Sequence, residues 1–174
     1  MTIKNIGFIG LGAMGSVMAP LIVKSGYMVH GFDIEVNIDK STEVNQVGDI
    51  NELSGLDVLI FMLPNGKIVS EVAQKLMKVN LKSIFIDMSS SDPKETKELG
   101  KILKNKGIKF LDAPVSGGVA RARTGDLMIM AGGDENLLEE VDDLLSVMGK
   151  VQFVGPLGSG PVSYTHLTLP TRGL

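Results

Sequence analysis

The residues best equipped for chemistry are three glycines and one acid. Gly10, Gly12 and Gly15 stand in a G-x-G-x-x-G spacing, with Leu11, Ala13 and Met14 between them. Asp33 follows roughly 20 residues on. Each glycine has a physical role. Gly10 lets the chain turn sharply out of an apolar run, Ile6 to Ile9, where a Cβ would clash. Gly12 lets backbone approach a pyrophosphate, and Gly15 lets the following helix pack closely on the strand. The helix N-terminus then offers unpaired N–H groups and the positive end of its dipole to phosphate oxygens. Asp33 closes Met28-Val29-His30-Gly31-Phe32-Asp33, and its carboxylate can accept both hydroxyls of an adenosine ribose. A 2′-phosphate there would meet a negative charge, and no Arg or Lys follows until Lys40, so the pattern favours NAD over NADP. A glycine-rich turn without a ligand, or a methyltransferase using the same nucleotide fold, would share the spacing.

These residues need elements to hold them. Short apolar, β-branched runs predict strands at Lys4–Ile9, Met28–Asp33, Val58–Leu63, Ser83–Asp87, Lys109–Asp112, Leu127–Ala131 and Gln152–Val154. Helical periodicity predicts helices at Met14–Ser25, Lys67–Lys78, Pro93–Asn105 and Asn136–Val147. Ser91-Asp92-Pro93 is a helix start with a capping side chain and a first-turn proline, and Gly107 is a stop. Strands alternating with helices imply an α/β fold, a Rossmann-type doubly wound and mostly parallel sheet. Right-handed crossovers would bring Gly10–Gly15, Asp33, Pro64-Asn65 and Ser89-Ser90-Ser91 to one sheet edge. In the last predicted helix Leu137, Leu138, Val141, Leu144, Leu145 and Met148 form a stripe. Glu139, Glu140, Asp142 and Asp143 lie off it, as a solvated face does rather than an acid–base pair. His30 falls within a strand and reads as packed or half-exposed.

The composition narrows the classes. The chain has 174 residues, 44% hydrophobic and 21% charged, enough for one domain with a real core. A net charge of −3 gives no basic footprint for nucleic acid or an anionic membrane. With no cysteine, disulfides, thiolate catalysis and cysteine metal sites are excluded. No basic-then-apolar leader and no run of ~18 apolar residues is present, so the cytoplasm is the expected compartment. No metal is expected.

Four segments resemble the 3-hydroxyisobutyrate dehydrogenase family of β-hydroxyacid dehydrogenases. Gly7-Phe8-Ile9-Gly10-Leu11-Gly12-Ala13-Met14-Gly15, with Met18-Ala19, is similar to its N-terminal signature. Phe61-Met62-Leu63-Pro64-Asn65 is similar to its loop beside the nicotinamide ribose. Asp87-Met88-Ser89-Ser90-Ser91-Asp92-Pro93 resembles its next cofactor loop, with Ser90 at the position of a cofactor-contacting Thr. Asp112-Ala113-Pro114-Val115-Ser116-Gly117-Gly118 resembles its substrate loop. The resemblance covers residues 1–160. It implies NAD as cofactor, with contacts from Met62, Leu63, Pro64, Asn65 and Ser90. It also implies a short 3-hydroxy acid or its semialdehyde as substrate, its carboxylate held by Ser116 and the amides of Gly117 and Gly118, and a homo-oligomeric parent protein. The residues agree: a hydroxyl followed by two exposed glycine amides can bind an anion. Arg121 and Arg123 could reach that carboxylate, though long basic side chains are usually solvated. A sugar-acid phosphate substrate of the 6-phosphogluconate type would call for more basic residues here. A non-catalytic NAD-binding module is the alternative from another class.

One departure is expected to matter. The family's catalytic Lys lies four residues beyond a linker such as Gly155-Pro156-Leu157-Gly158-Ser159-Gly160, at the start of a helical domain; here Tyr164 holds that position, and Leu167 and Thr168 stand where an Asn should follow. Val162-Ser163-Tyr164-Thr165-His166-Leu167-Thr168-Leu169-Pro170-Thr171 reads as a translated transposase-type sequencing adapter, GTC TCT TAT ACA CAT CTG ACG CTG CCG ACG. The expectation is therefore a cofactor domain at residues 1–160 and a foreign tail at 161–174, with no catalytic residue present. Such a chain would bind NAD weakly, turn over nothing, and expose an apolar patch beside the last strand.

Overall fold

Val58-Leu59-Ile60-Phe61 contains no polar residue, and as a strand it buries both faces. Val58 and Ile60 join one apolar cluster with Ile6, Phe8 and Ile86. Leu59 and Phe61 join another with Ile9, Phe85 and Phe110 on the opposite face. The computed structural model, which describes residues 2–160, builds this two-sided burial into three layers. Helices α1 (Gly15–Lys24) and α5 (Glu135–Ser146) cover the first cluster. Helices α2 (Gly66–Leu76) and α3 (Pro93–Asn105) cover the second through Val69, Ala73, Leu99 and Leu103.

The strands are β1 (Asn5–Ile9), β2 (Met28–Phe32), β3 (Asn45–Gln46), β4 (Val58–Phe61), β5 (Ile84–Asp87), β6 (Lys109–Asp112), β7 (Val115–Ser116), β8 (Leu127–Gly132) and β9 (Gly149–Gly155). Their order is β3-β2-β1-β4-β5-β6-β8-β7, with β9 on β8. The pairs from β3 to β6 are parallel, as is β8–β9; β8 runs antiparallel to β6 and β7. The doubly wound, mostly parallel sheet expected from the alternation is present. All seven predicted strands and all four predicted helices exist; Lys109–Asp112 and Pro93–Asn105 match at both ends, and no other end moves by more than three residues.

The differences have local causes. Two-residue strands β3 and β7, the six-residue helix α4 (Gly118–Arg123) and the 3₁₀ turns Lys40–Thr42 and Ile50–Glu52 carry too little apolar periodicity to announce themselves. Strand β9 begins at Gly149 rather than Gln152, because Gly149 runs so close to Leu127 that a Cβ would strike its carbonyl. Helix α3 begins as expected: Asp92 accepts from the Lys94 amide at 2.8 Å, and Gly107 beyond its end sits at φ 73°. Phe153 on β9 is among the exposed large apolar side chains.

Candidate functional site

One row of backbone hydrogen bonds aligns the loops at the C-terminal edge of the sheet. Gly10 N donates to Phe32 O, Met62 N to Ile9 O, Met88 N to Phe61 O, and Ala113 N to Asp87 O, at 2.7–2.9 Å. Each strand end is thereby tied to its neighbour's first loop residue. Asp33, the glycine loop, Met62–Asn65, Ser89–Ser91 and the segment leading to Ser116 thus come to lie in that order along one edge.

The three glycines divide by what demands them. Gly10 sits at φ 103°, and a Cβ there would run into the Met62 carbonyl. A Cβ at Gly15 would strike the Gly10 carbonyl and approach the Phe8 ring. The fold itself requires both. At Gly12 a Cβ would meet nothing within 4 Å, and the backbone lies outside the left-handed region. Among the described residues no atom demands a glycine at that position. Helix α1 has no side-chain cap at Met14, and among the described residues the amides of Gly12, Ala13 and Met14 have no acceptor. Three adjacent donors without protein partners at a helix start suit a diphosphate.

Asp33 lies just past β2. Its Oδ2 accepts from Leu11 N at 2.7 Å, and its Oδ1 from Glu35 N at 2.8 Å and Val36 N at 2.9 Å. Partial burial raises its pKa, but the amides of Val36, Glu35 and Leu11 outweigh burial and hold it below the ordinary carboxylate value. The carboxylate is ionised, oriented, and tied to the glycine loop. Carboxylate oxygens accept more than one bond each, so capacity for ribose hydroxyls remains.

The ends of β5 and β6 carry a pair of buried carboxylates that no linear pattern singles out. Asp87 Oδ1 accepts from Ser89 N at 2.9 Å and Oδ2 from Ser91 Oγ at 2.6 Å. Buried Ser89 and Ser91 flank exposed Ser90, so Asp87 presents Ser90 outward. Ser89 Oγ accepts from Leu63 N at 2.8 Å, which fixes the Met62–Asn65 loop to the same carboxylate. Asn65 caps α2 by accepting from Ile68 N at 3.0 Å, and Pro64 is exposed. Asp112, the register partner of Asp87, accepts from Gly158 N and Gly160 N, both at 2.9 Å, and so binds the linker. Burial pushes the Asp87 carboxyl up to about 6 against the pull of its serine donors, and Asp112 beside it adds repulsion. Burial raises Asp112 as well, more than the Gly158 and Gly160 amides lower it.

Ser116 is half-buried at the end of β7, and Gly117 and Gly118 are exposed at φ 133° and 71°. A side chain at Gly117 would also press on Arg121. Arg121 and Arg123 are exposed on α4. His30 is half-buried, its Nδ1 3.2 Å from Asn45 Nδ2, and sits within the sheet. Glu139, Glu140, Asp142 and Asp143 are exposed, with Glu140 paired to Lys109 at 3.3 Å. Tyr164 and the tail 161–174 lie outside the described residues. A pocket of about 490 Å³ lined by Asp57, Lys78 and Asn80 opens away from the crevice. Its Asp57 is committed to the amides of Lys4 and Asn5, and Asn80 to Leu53 and Leu56. No described helix is long and apolar enough to cross a membrane.

The comparisons with known proteins place the fold and the family. A family model described as the NAD binding domain of 6-phosphogluconate dehydrogenase matches residues 5–157. The chain is 38% identical over 169 residues to 2-(hydroxymethyl)glutarate dehydrogenase of Eubacterium barkeri, covering 90% of this chain and 55% of that protein. It is 40% identical over 166 residues to mitochondrial 3-hydroxyisobutyrate dehydrogenase of Rattus norvegicus, covering 89% and 49%. Among solved structures, Mycobacterium tuberculosis 3-hydroxyisobutyrate dehydrogenase with L-serine superposes with a TM-score of 0.92 at 30% identity, covering 98% of this chain and 60% of that one. The chain spans about half the length of the curated relatives it matches.

Proposed function

Because this chain belongs to the family described as the NAD binding domain of 6-phosphogluconate dehydrogenase, we propose that it is the cofactor-binding part of an NAD-dependent dehydrogenase. The substrate class is a short 3-hydroxy acid or the matching semialdehyde. The observation that carries this reading is the run of amides at Gly12, Ala13 and Met14 that find no acceptor among the described residues, beside a Gly12 whose missing Cβ no described atom crowds. These amides hold the pyrophosphate. Asp33 holds the adenosine ribose, an unsubstituted ribose suiting its charge better than a 2′-phosphate. Met62, Leu63, Pro64, Asn65 and Ser90 flank the nicotinamide half, with Asp87 orienting their loops. Ser116, Gly117 and Gly118 hold the substrate carboxylate. The bound nicotinamide supplies the hydride chemistry.

The chemistry also needs a base for the hydroxyl proton. None of the described residues at this edge suits that role, since Asp87 and Asp112 are buried and committed, and Asp33 serves the ribose. Residues 1–160 act as the cofactor domain, and residues 161–174, with Tyr164 at the family's Lys position, contribute no catalytic group. The names of the relatives, hydroxy-acid dehydrogenases and 2-hydroxy-3-oxopropionate reductase of Escherichia coli, support the substrate class. Calorimetric titration tests the reading. Heat and saturation are expected with NADH and none with S-adenosylmethionine, and no hydride transfer is expected from this chain to any short semialdehyde. Absence of NADH binding overturns it.

A further inference from the structure

Lys40 stands seven residues beyond Asp33, too far in sequence for the two to be read as one site. The fold brings them together. Asp33 Oδ1 takes the amides of Glu35 and Val36 and turns the chain. Gln46 of β3 then pins the loop, its Oε1 accepting from Ile38 N at 2.7 Å and its Nε2 donating to Val36 O at 2.6 Å. Asp39 caps the turn Lys40–Thr42 by accepting from Ser41 N at 2.8 Å. Asp33 and Lys40 consequently line one pocket of about 640 Å³, together with apolar Ile34 and Val47. Ile34 is 86% exposed, which leaves an apolar surface free beside the carboxylate. Lys40 is exposed and forms no ion pair among the described residues. The acid nearest it in sequence, Asp39, is engaged in the cap.

We propose that Lys40 is a specificity-determining residue of the adenosine pocket, an ammonium that accepts a 2′-phosphate and so opposes the exclusion exerted by Asp33. The proposal rests on the NAD-binding reading above. The two charges act on the same substituent with opposite sign: the carboxylate accepts ribose hydroxyls and repels a phosphate, while the ammonium can donate only weakly to a neutral hydroxyl and is strongly attracted to a phosphate. The chain therefore binds NADH better than NADPH, but by a narrower margin than an acid alone would give. Lys40 lines the pocket from a turn with its own cap. Lysine meets phosphate as a point charge on a flexible stem, so the contribution falls as salt rises.

The test is the ratio of NADPH to NADH dissociation constants, measured by calorimetry on the full chain, for wild type and Lys40→Gln. Lys40 is exposed, so the substitution spares the fold. The ratio is expected to rise about three- to fivefold in K40Q, from weaker NADPH binding, and this difference is expected to shrink in high salt. A K40R variant, which keeps the charge, should restore a ratio close to wild type. The ratio unmoved in K40Q, with NADH still bound by both proteins, overturns this proposal alone. NADH bound by neither protein overturns the cofactor reading and this proposal with it.

Discussion

The Asp33 corner and the Asp87–Asp112 edge give one residue type the same partners and opposite electrostatics. All three carboxylates accept two or three protein donors, mostly backbone amides, and among the described residues none is in an ion pair. Asp33 is only partly buried, so its amides win and its pKa drops. Asp87 and Asp112 are almost fully buried and adjacent across β5 and β6, so desolvation wins and both are raised. The corner keeps a ready charge where a ligand can reach it. The edge spends its carboxylates on holding loops: Asp87 the Ser89–Ser91 turn, Asp112 the linker at Gly158 and Gly160. Donor number alone therefore does not reveal whether an acid is a ligand or a strut; burial does.

The sharpest way to break that distinction is to remove a strut. Asp112→Ala leaves the buried amides of Gly158 and Gly160 without acceptors, a loss of about 4 kcal/mol that urea denaturation would register. Truncating a partly exposed acid such as Asp33 should cost less than half of that. An equal loss at both positions would erase the comparison. The pH dependence of stability comes next. Asp87 has a folded pKa of about 6 against 3.8 unfolded. Its contribution is full below the unfolded value and is lost as pH rises through the folded one. Stability should thus fall by about 3 kcal/mol between about pH 4 and pH 7 on account of Asp87, and Asp87→Asn should flatten that slope. Asp33 works the other way: its contribution is present above the unfolded value and is lost as pH falls through the depressed one. Denaturation curves across this range showing a rise where Asp87 demands a fall would contradict the assignment.

Sequence reasoning reaches the sheet, its helices and the order of the edge loops because their signals are local. The glycine spacing, the all-apolar Val58–Phe61 and the Ser91-Asp92-Pro93 start each speak within a few residues. Asp87 and Asp112 are visible there only as letters in longer motifs. The donors to Asp112 lie 46 and 48 residues away, and nothing in a linear pattern ties a strand-end acid to a distant linker amide. Lys40 looks too remote to matter in the sequence, since the return of its loop depends on Gln46, a polar residue on a two-residue strand. Gly10 and Gly15 have the steric roles their spacing implies, and Gly12 stands apart because no described atom would meet its Cβ.

That space offers the most direct test of the proposed diphosphate site. Gly12→Ala adds one methyl group that meets no protein atom. The variant should unfold within about 0.5 kcal/mol of wild type, while its NADH affinity, measured by calorimetry on the same samples, should fall by more than about tenfold. An alanine variant that folds normally and binds NADH as tightly as wild type would show that the pyrophosphate does not lie against these amides.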